Sequence, residues 1–71
     1  MDEAGIYQAF YESDKNRGHL PDGFFADLGI TREDLARELM ALAPKRPHKN
    51  FKDIQVEAVL AAQRKVRNKA A

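Results

Sequence analysis

Apolar side chains recur every three or four residues along this chain, and the recurrence is interrupted at Gly18, Gly29 and the Pro44–Pro47 stretch. A period near 3.6 broken by glycine and proline specifies short helices joined by turns, and no segment shows the strict alternation of a strand. The first helix is expected from Asp2 to Asn16, with Ile6 and Phe10 one turn apart and Tyr7 and Tyr11 beside them. Asn16-Arg17-Gly18-His19 reads as its stop, with Gly18 suited to a left-handed backbone. A short second helix starts at Leu20-Pro21-Asp22, because proline loses nothing in a first turn, carries Phe24, Phe25 and Leu28, and closes at Gly29. The third is capped by Thr31, has Glu33 and Asp34 at the positive end of its dipole, aligns Leu35, Leu39 and Leu42, and ends at Pro44. After a polar linker from Lys45, Asn50 caps a last helix from Phe51 to Asn68. Phe51, Ile54, Ala58, Ala61 and Ala62 form its inner face, and Val56, Val59 and Leu60 widen the apolar surface beyond one stripe. The fold class that follows is all-α: a single domain built as a small bundle of three to four helices, with a basic C-terminal helix and tail.

A chain of 71 residues buries only roughly 60% of its unfolded surface, so its stability margin is thin. It has no cysteine, and His19 and His48 lie far apart without companion ligands, so neither a metal site nor a cofactor is expected. The acidic start Met1-Asp2-Glu3 lacks the order of a signal peptide. The longest apolar runs, Leu39–Ala43 and Ala58–Ala62, are five residues each, far short of the ~20 that span a bilayer. A cytoplasmic protein without membrane contact is the expectation.

Charge is sorted along the chain. Residues 1–44 hold nine acidic and four basic side chains, and residues 45–71 hold two acidic and eight basic ones. Such a split fits an electrostatic docking surface, or one half of the molecule covering the other. The basic residues form two clusters: Lys45, Arg46, Lys49 and Lys52 around the linker, and Arg64, Lys65, Arg67 and Lys69 near the end. Phosphate contacts require such cations, so the first four with Arg64, Lys65 and Arg67 are the candidate nucleic-acid-binding residues. The alternative for the second cluster is dipole compensation and solubility at a helix C-terminus.

The run Leu28-Gly29-Ile30-Thr31-Arg32-Glu33-Asp34-Leu35-Ala36-Arg37-Glu38-Leu39 outlines a helix-turn-helix. It resembles the turn and second helix of Fis-type DNA-binding domains, although an ordinary well-capped helical corner has the same outline. Glu33, Asp34 and Glu38 would then face DNA from the exposed start of the second helix and repel its phosphates. The longer stretch from Leu20 to Leu35, with Leu20, Asp22, Asp27, Leu28, Gly29, Ile30, Arg32, Asp34 and Leu35 in place, resembles the core of the YjiS-like family of short bacterial proteins. That resemblance implies a small regulatory protein, with RNA binding and stress regulation as the linked roles. It covers sixteen of the 71 residues.

Catalysis has little to stand on: there is no phosphate-gripping glycine loop, no nucleophile elbow, and Ser13 is the single serine. The expectation is therefore a non-enzymatic regulatory binding protein that contacts RNA or DNA through its basic C-terminal third. The alternative is an adaptor or inhibitor that meets a larger protein through Tyr7 and Tyr11 or through Val56, Val59 and Leu60. A homodimer burying the Val56–Leu60 surface is the third reading, since the remaining helices look too short to cover it.

Overall fold

The computed structural model describes residues 1–70, which form four α-helices and no strand. In α1, Glu3–Lys15, the Asp2 carboxylate accepts the Gly5 N–H at 2.8 Å and so satisfies one free amide of the first turn. Its buried face is Ile6, Phe10 and Ser13. The Ser13 hydroxyl donates to the Phe10 carbonyl at 2.7 Å, which lets a polar side chain be buried without an orphan donor.

Both α1 and α2, Asp22–Leu28, end in the same way. The Gly18 N–H reaches back to the Ser13 carbonyl at 2.7 Å, and the Ile30 N–H to the Phe25 carbonyl at 3.3 Å. In this six-residue closure the residue before the donor is left-handed. At the second turn it is Gly29, φ 73°. At the first it is Arg17, φ 58°, with Gly18 also left-handed at φ 80°. The sequence points to Gly18 alone; hydrogen-bond register puts Arg17 in the strained position as well.

α3, Arg32–Leu42, opens with a reciprocal cap: the Asp34 N–H donates to Thr31 Oγ1 at 3.1 Å, and the Thr31 N–H to Asp34 Oδ2 at 3.0 Å. Pro44 ends the α-helix but not the coiling, because Ala43–Lys45 continue as one tighter turn. Asn50 Oδ1 accepts the Lys52 N–H at 2.8 Å and starts α4, Phe51–Ala70.

The core is assembled from every element: Ile6 and Phe10, then Leu20, Phe24, Phe25, Leu28 and Ile30, then Leu35, then Val56, Ala58, Val59 and Ala62. Phe24 sits edge-on to both Phe10 (5.6 Å between centroids) and Phe25 (5.3 Å). Truncating Phe10 to alanine would cost about 3–5 kcal/mol, a large part of the total stability of any small domain. The Gln63 side-chain amide donates to the Leu28 carbonyl at 3.1 Å and pins α4 to the end of α2.

Two expectations about α4 are corrected. Val56 and Val59 are not a free apolar surface: they are 2% and 0% exposed. At about 100° per residue, Ile54, Ala58, Ala62, Val59 and Val56 cover an arc of about 200°. α1 and α3 both pack on this helix and cover the arc within one copy of the chain. Phe51, assigned to the inner face, is 54% exposed. Helical side chains lean toward the N-terminus, so the first residue of α4 leans past the end of its own helix. Leu60 and Ala61 lie half-buried at the margin.

Candidate interaction surfaces

Leu20, Asp22, Asp27, Leu28, Gly29, Ile30, Arg32, Asp34 and Leu35 form one run that builds the α2–α3 corner. Leu20, Leu28, Ile30 and Leu35 are buried, Gly29 makes the turn, and Asp34 closes the cap. Arg32 is the clamp: its Nη2 donates to the Leu20 carbonyl at 2.8 Å and to Asp22 Oδ1 at 2.7 Å, and its guanidinium lies 4.6 Å above the Phe25 ring. Asp27 is the one side chain of the run with no such duty: it is exposed, without an ion pair or hydrogen bond among the described residues. The Thr31 N–H holds the Asp34 carboxyl below its ordinary value. Glu33 is exposed, as expected, but Glu38 is 5% exposed and faces α4 rather than solvent. Its position one turn after Asp34 on the inner side of α3 explains the difference.

The linker cluster is largely neutralised. Arg46 Nη2 donates to Glu57 Oε1 at 2.9 Å, and Lys49 Nζ lies 3.5 Å from Glu57 Oε2, so both tie the linker to α4. The lysine contact is an ion pair without hydrogen-bond alignment, and Oε2 has no hydrogen-bond partner. The Arg46 hydrogen bond, working against partial burial, holds the Glu57 carboxyl below its usual range. Lys52 Nζ is 2.7 Å from Asp14 Oδ2 and 5.6 Å above the Tyr11 ring, with its side chain only 14% exposed. Within this cluster Lys45 is the cation with no ion pair among the described residues.

The two tyrosines are divided. The Tyr7 hydroxyl donates to Asp53 Oδ1, which joins α1 to α4 and pushes the phenol up to about 12 because that bond and the carboxylate charge both oppose ionisation. Tyr11 remains exposed beneath Lys52. Of the protein-interface residues expected from the sequence, Tyr11 is thus presented to solvent, Tyr7 and Leu60 are half-buried, and Val56 and Val59 are closed off in the core.

The end of α4 behaves differently from the linker. Lys65 Nζ pairs with Glu38 Oε1 at 2.5 Å yet keeps its side chain 64% exposed. Arg64 and Arg67 are exposed and have no carboxylate partner among the described residues. They stand about 60° apart around the helix and share its outer face. A shallow crevice between α3 and α4 adds Arg37 and Lys69 beside Lys65. Arg37 lies outside both basic clusters of the sequence. The signal for it was the hairpin: a short linker folds α3 back along α4 and sets position 37 opposite positions 65–69. This end of the molecule therefore gathers five cations against the carboxylates of Asp34 and Glu38.

No group of three or more histidine, aspartate or glutamate side chains placed to hold a metal occurs among the described residues, and none of their helices is long and apolar enough to cross a membrane. Compared with known protein families, curated proteins and solved structures, the chain matches none.

Proposed function

We propose that this chain is a non-catalytic regulatory protein that grips the phosphate backbone of a nucleic acid with the last turns of α4. The observation that carries the reading is the contrast between the two basic clusters. Arg46, Lys49 and Lys52 are held by carboxylates of the fold. Arg64 and Arg67 project from one face with no carboxylate partner among the described residues, while Arg37, Lys65 and Lys69 line the α3–α4 crevice on another side of the helix, where Asp34 and Glu38 pair with the first two. Cations left unpaired on one face repel each other in the free protein, and phosphates relieve that repulsion while releasing condensed counterions. Such contacts position a protein without reading bases, so the binding is sequence-tolerant.

The test is fluorescence anisotropy with a labelled duplex and a labelled single strand across a salt series. The double variant Arg64→Ser, Arg67→Ser should weaken both. It should also reduce the slope of log affinity against log salt by about 2, since each duplex phosphate that a cation neutralises contributes roughly 0.9. Its melting temperature should stay at the wild-type value, because neither side chain holds the fold. Wild-type protein that binds neither nucleic acid at low salt, or a variant that binds with an unchanged slope, refutes the reading. Reversing Lys52 is the wrong experiment, because it breaks the Asp14 pair and tests folding instead.

A further inference from the structure

Between the C-terminal half of α1 and the start of α2 lies a cleft of about 340 Å³. Its floor is apolar, formed by Ala9, Pro21 and the edge of Phe24, and Glu12, His19 and Asp27 stand around it. Asp27 has no partner among the described residues. Glu12 accepts from Gln8 Nε2 at 2.9 Å through Oε1, and Lys15 approaches that same oxygen only to 3.9 Å, so Oε2 is left open. The cleft is thus an apolar slot between two under-used carboxylates. Met1, Ser13 and Asn16 complete the lining, which includes no lysine or arginine.

We infer that this cleft receives an arginine side chain from a partner polypeptide. An arginine pairs a methylene stem, which covers apolar surface, with a charged head that stays at the rim. Its planar guanidinium carries five donors and can meet two separate carboxylates at once. It is also more weakly hydrated than an ammonium, so seating it beside Phe24 and Pro21 costs less than seating a lysine. The volume is at the lower end for sites that enclose a small ligand, which suits one side chain rather than a cofactor. The inference is independent of the nucleic-acid reading: it uses other residues, of the opposite charge.

The probe is the blocked tripeptide acetyl-Ala-Arg-Ala-amide, titrated into isotope-labelled full-length protein and followed by backbone amide shifts. The expected result is a saturable shift at Asn16, His19 and Asp27, with a Kd on the order of 1 mM. The citrulline peptide, which keeps the shape and loses the charge, should bind more weakly, and so should the lysine peptide. The variant Glu12→Gln, Asp27→Asn should weaken the arginine peptide by about two- to fivefold for each charge removed, the scale of an exposed ion pair. Glu33→Gln, which removes the same charge outside the cleft, should leave it unchanged. Equal binding of the citrulline or lysine peptide, an unaffected double variant, or no shift at the cleft would overturn the proposal. Cleft shifts that follow protein concentration without peptide would give the site to a second copy, and would overturn it too.

Discussion

Replacing Gly29 with alanine isolates the cost of a left-handed residue in this fold. A Cβ at Gly29 would meet nothing within 4 Å, so the substitution adds no clash and buries no surface. What remains is the backbone, held at φ 73° by the closure from Ile30 to Phe25. An L-residue in that region costs roughly 1–2 kcal/mol, and the stiffer unfolded chain of alanine returns about 0.4–1 kcal/mol. The net loss is about 1 kcal/mol, which in a domain of this size lowers the melting temperature by about 4–8 °C. Arg17 offers the same experiment in reverse, since it already occupies the left-handed position after α1. Arg17→Gly relieves the strain, gives back part of the gain as unfolded-chain entropy, and should raise the melting temperature. Circular dichroism during thermal and urea unfolding reads both variants. A Gly29→Ala protein that melts with the wild type, or an Arg17→Gly protein that melts below it, would refute the assignment of these residues to strained positions.

Acid should destabilise the fold in a defined window. The Asp34 and Glu57 carboxyls are held below their ordinary values of 3.8 and 4.5, so the folded state binds fewer protons than the unfolded chain there. Their contribution is complete above those values and is lost as the pH falls through the folded-state ones, so thermal melts should hold level above about pH 5 and decline below about pH 4. Arg46→Gln should make that decline shallower; a decline as steep as in the wild type would remove the Arg46–Glu57 pair from the account. Tyr7 responds at the other end: its stabilisation is complete below pH 10 and fades as the pH rises through about 12. Phenolate absorbance should show a late step that Tyr7→Phe abolishes. Lys65→Met strands the buried Glu38 carboxylate and should cost about 1 kcal/mol, the scale of one charge-assisted hydrogen bond to a half-screened partner. Arg64→Met, one residue away, should cost nothing in the same denaturation assay.

Most of the secondary structure was legible because its causes are local. Thr31 and Asn50 are caps whose partners lie three and two residues away, and Gly29 is required by a turn only six residues long. The all-α bundle follows from that periodicity and from the absence of any competing strand. The charge split between the two halves was equally plain, since it needs only counting.

Side-chain partnership was not legible, and it is what divides the candidate residues. Lys52 and Arg64 look alike in the sequence, but Asp14 neutralises one, and among the described residues no carboxylate pairs with the other. Tyr7 and Tyr11 are a turn apart, yet Asp53 binds only the first. Val56 reads as surplus apolar surface until α1 and α3 are seen on both sides of α4. Glu38 reads as a surface acid until Lys65 is opposite it. The sequence by itself determined where helices begin, end and turn, because capping and backbone strain act over a few residues. Only the tertiary structure decided which charges are spent inside the molecule and which are left for a partner, because Coulomb attraction and burial act between residues that the chain separates and the fold brings together.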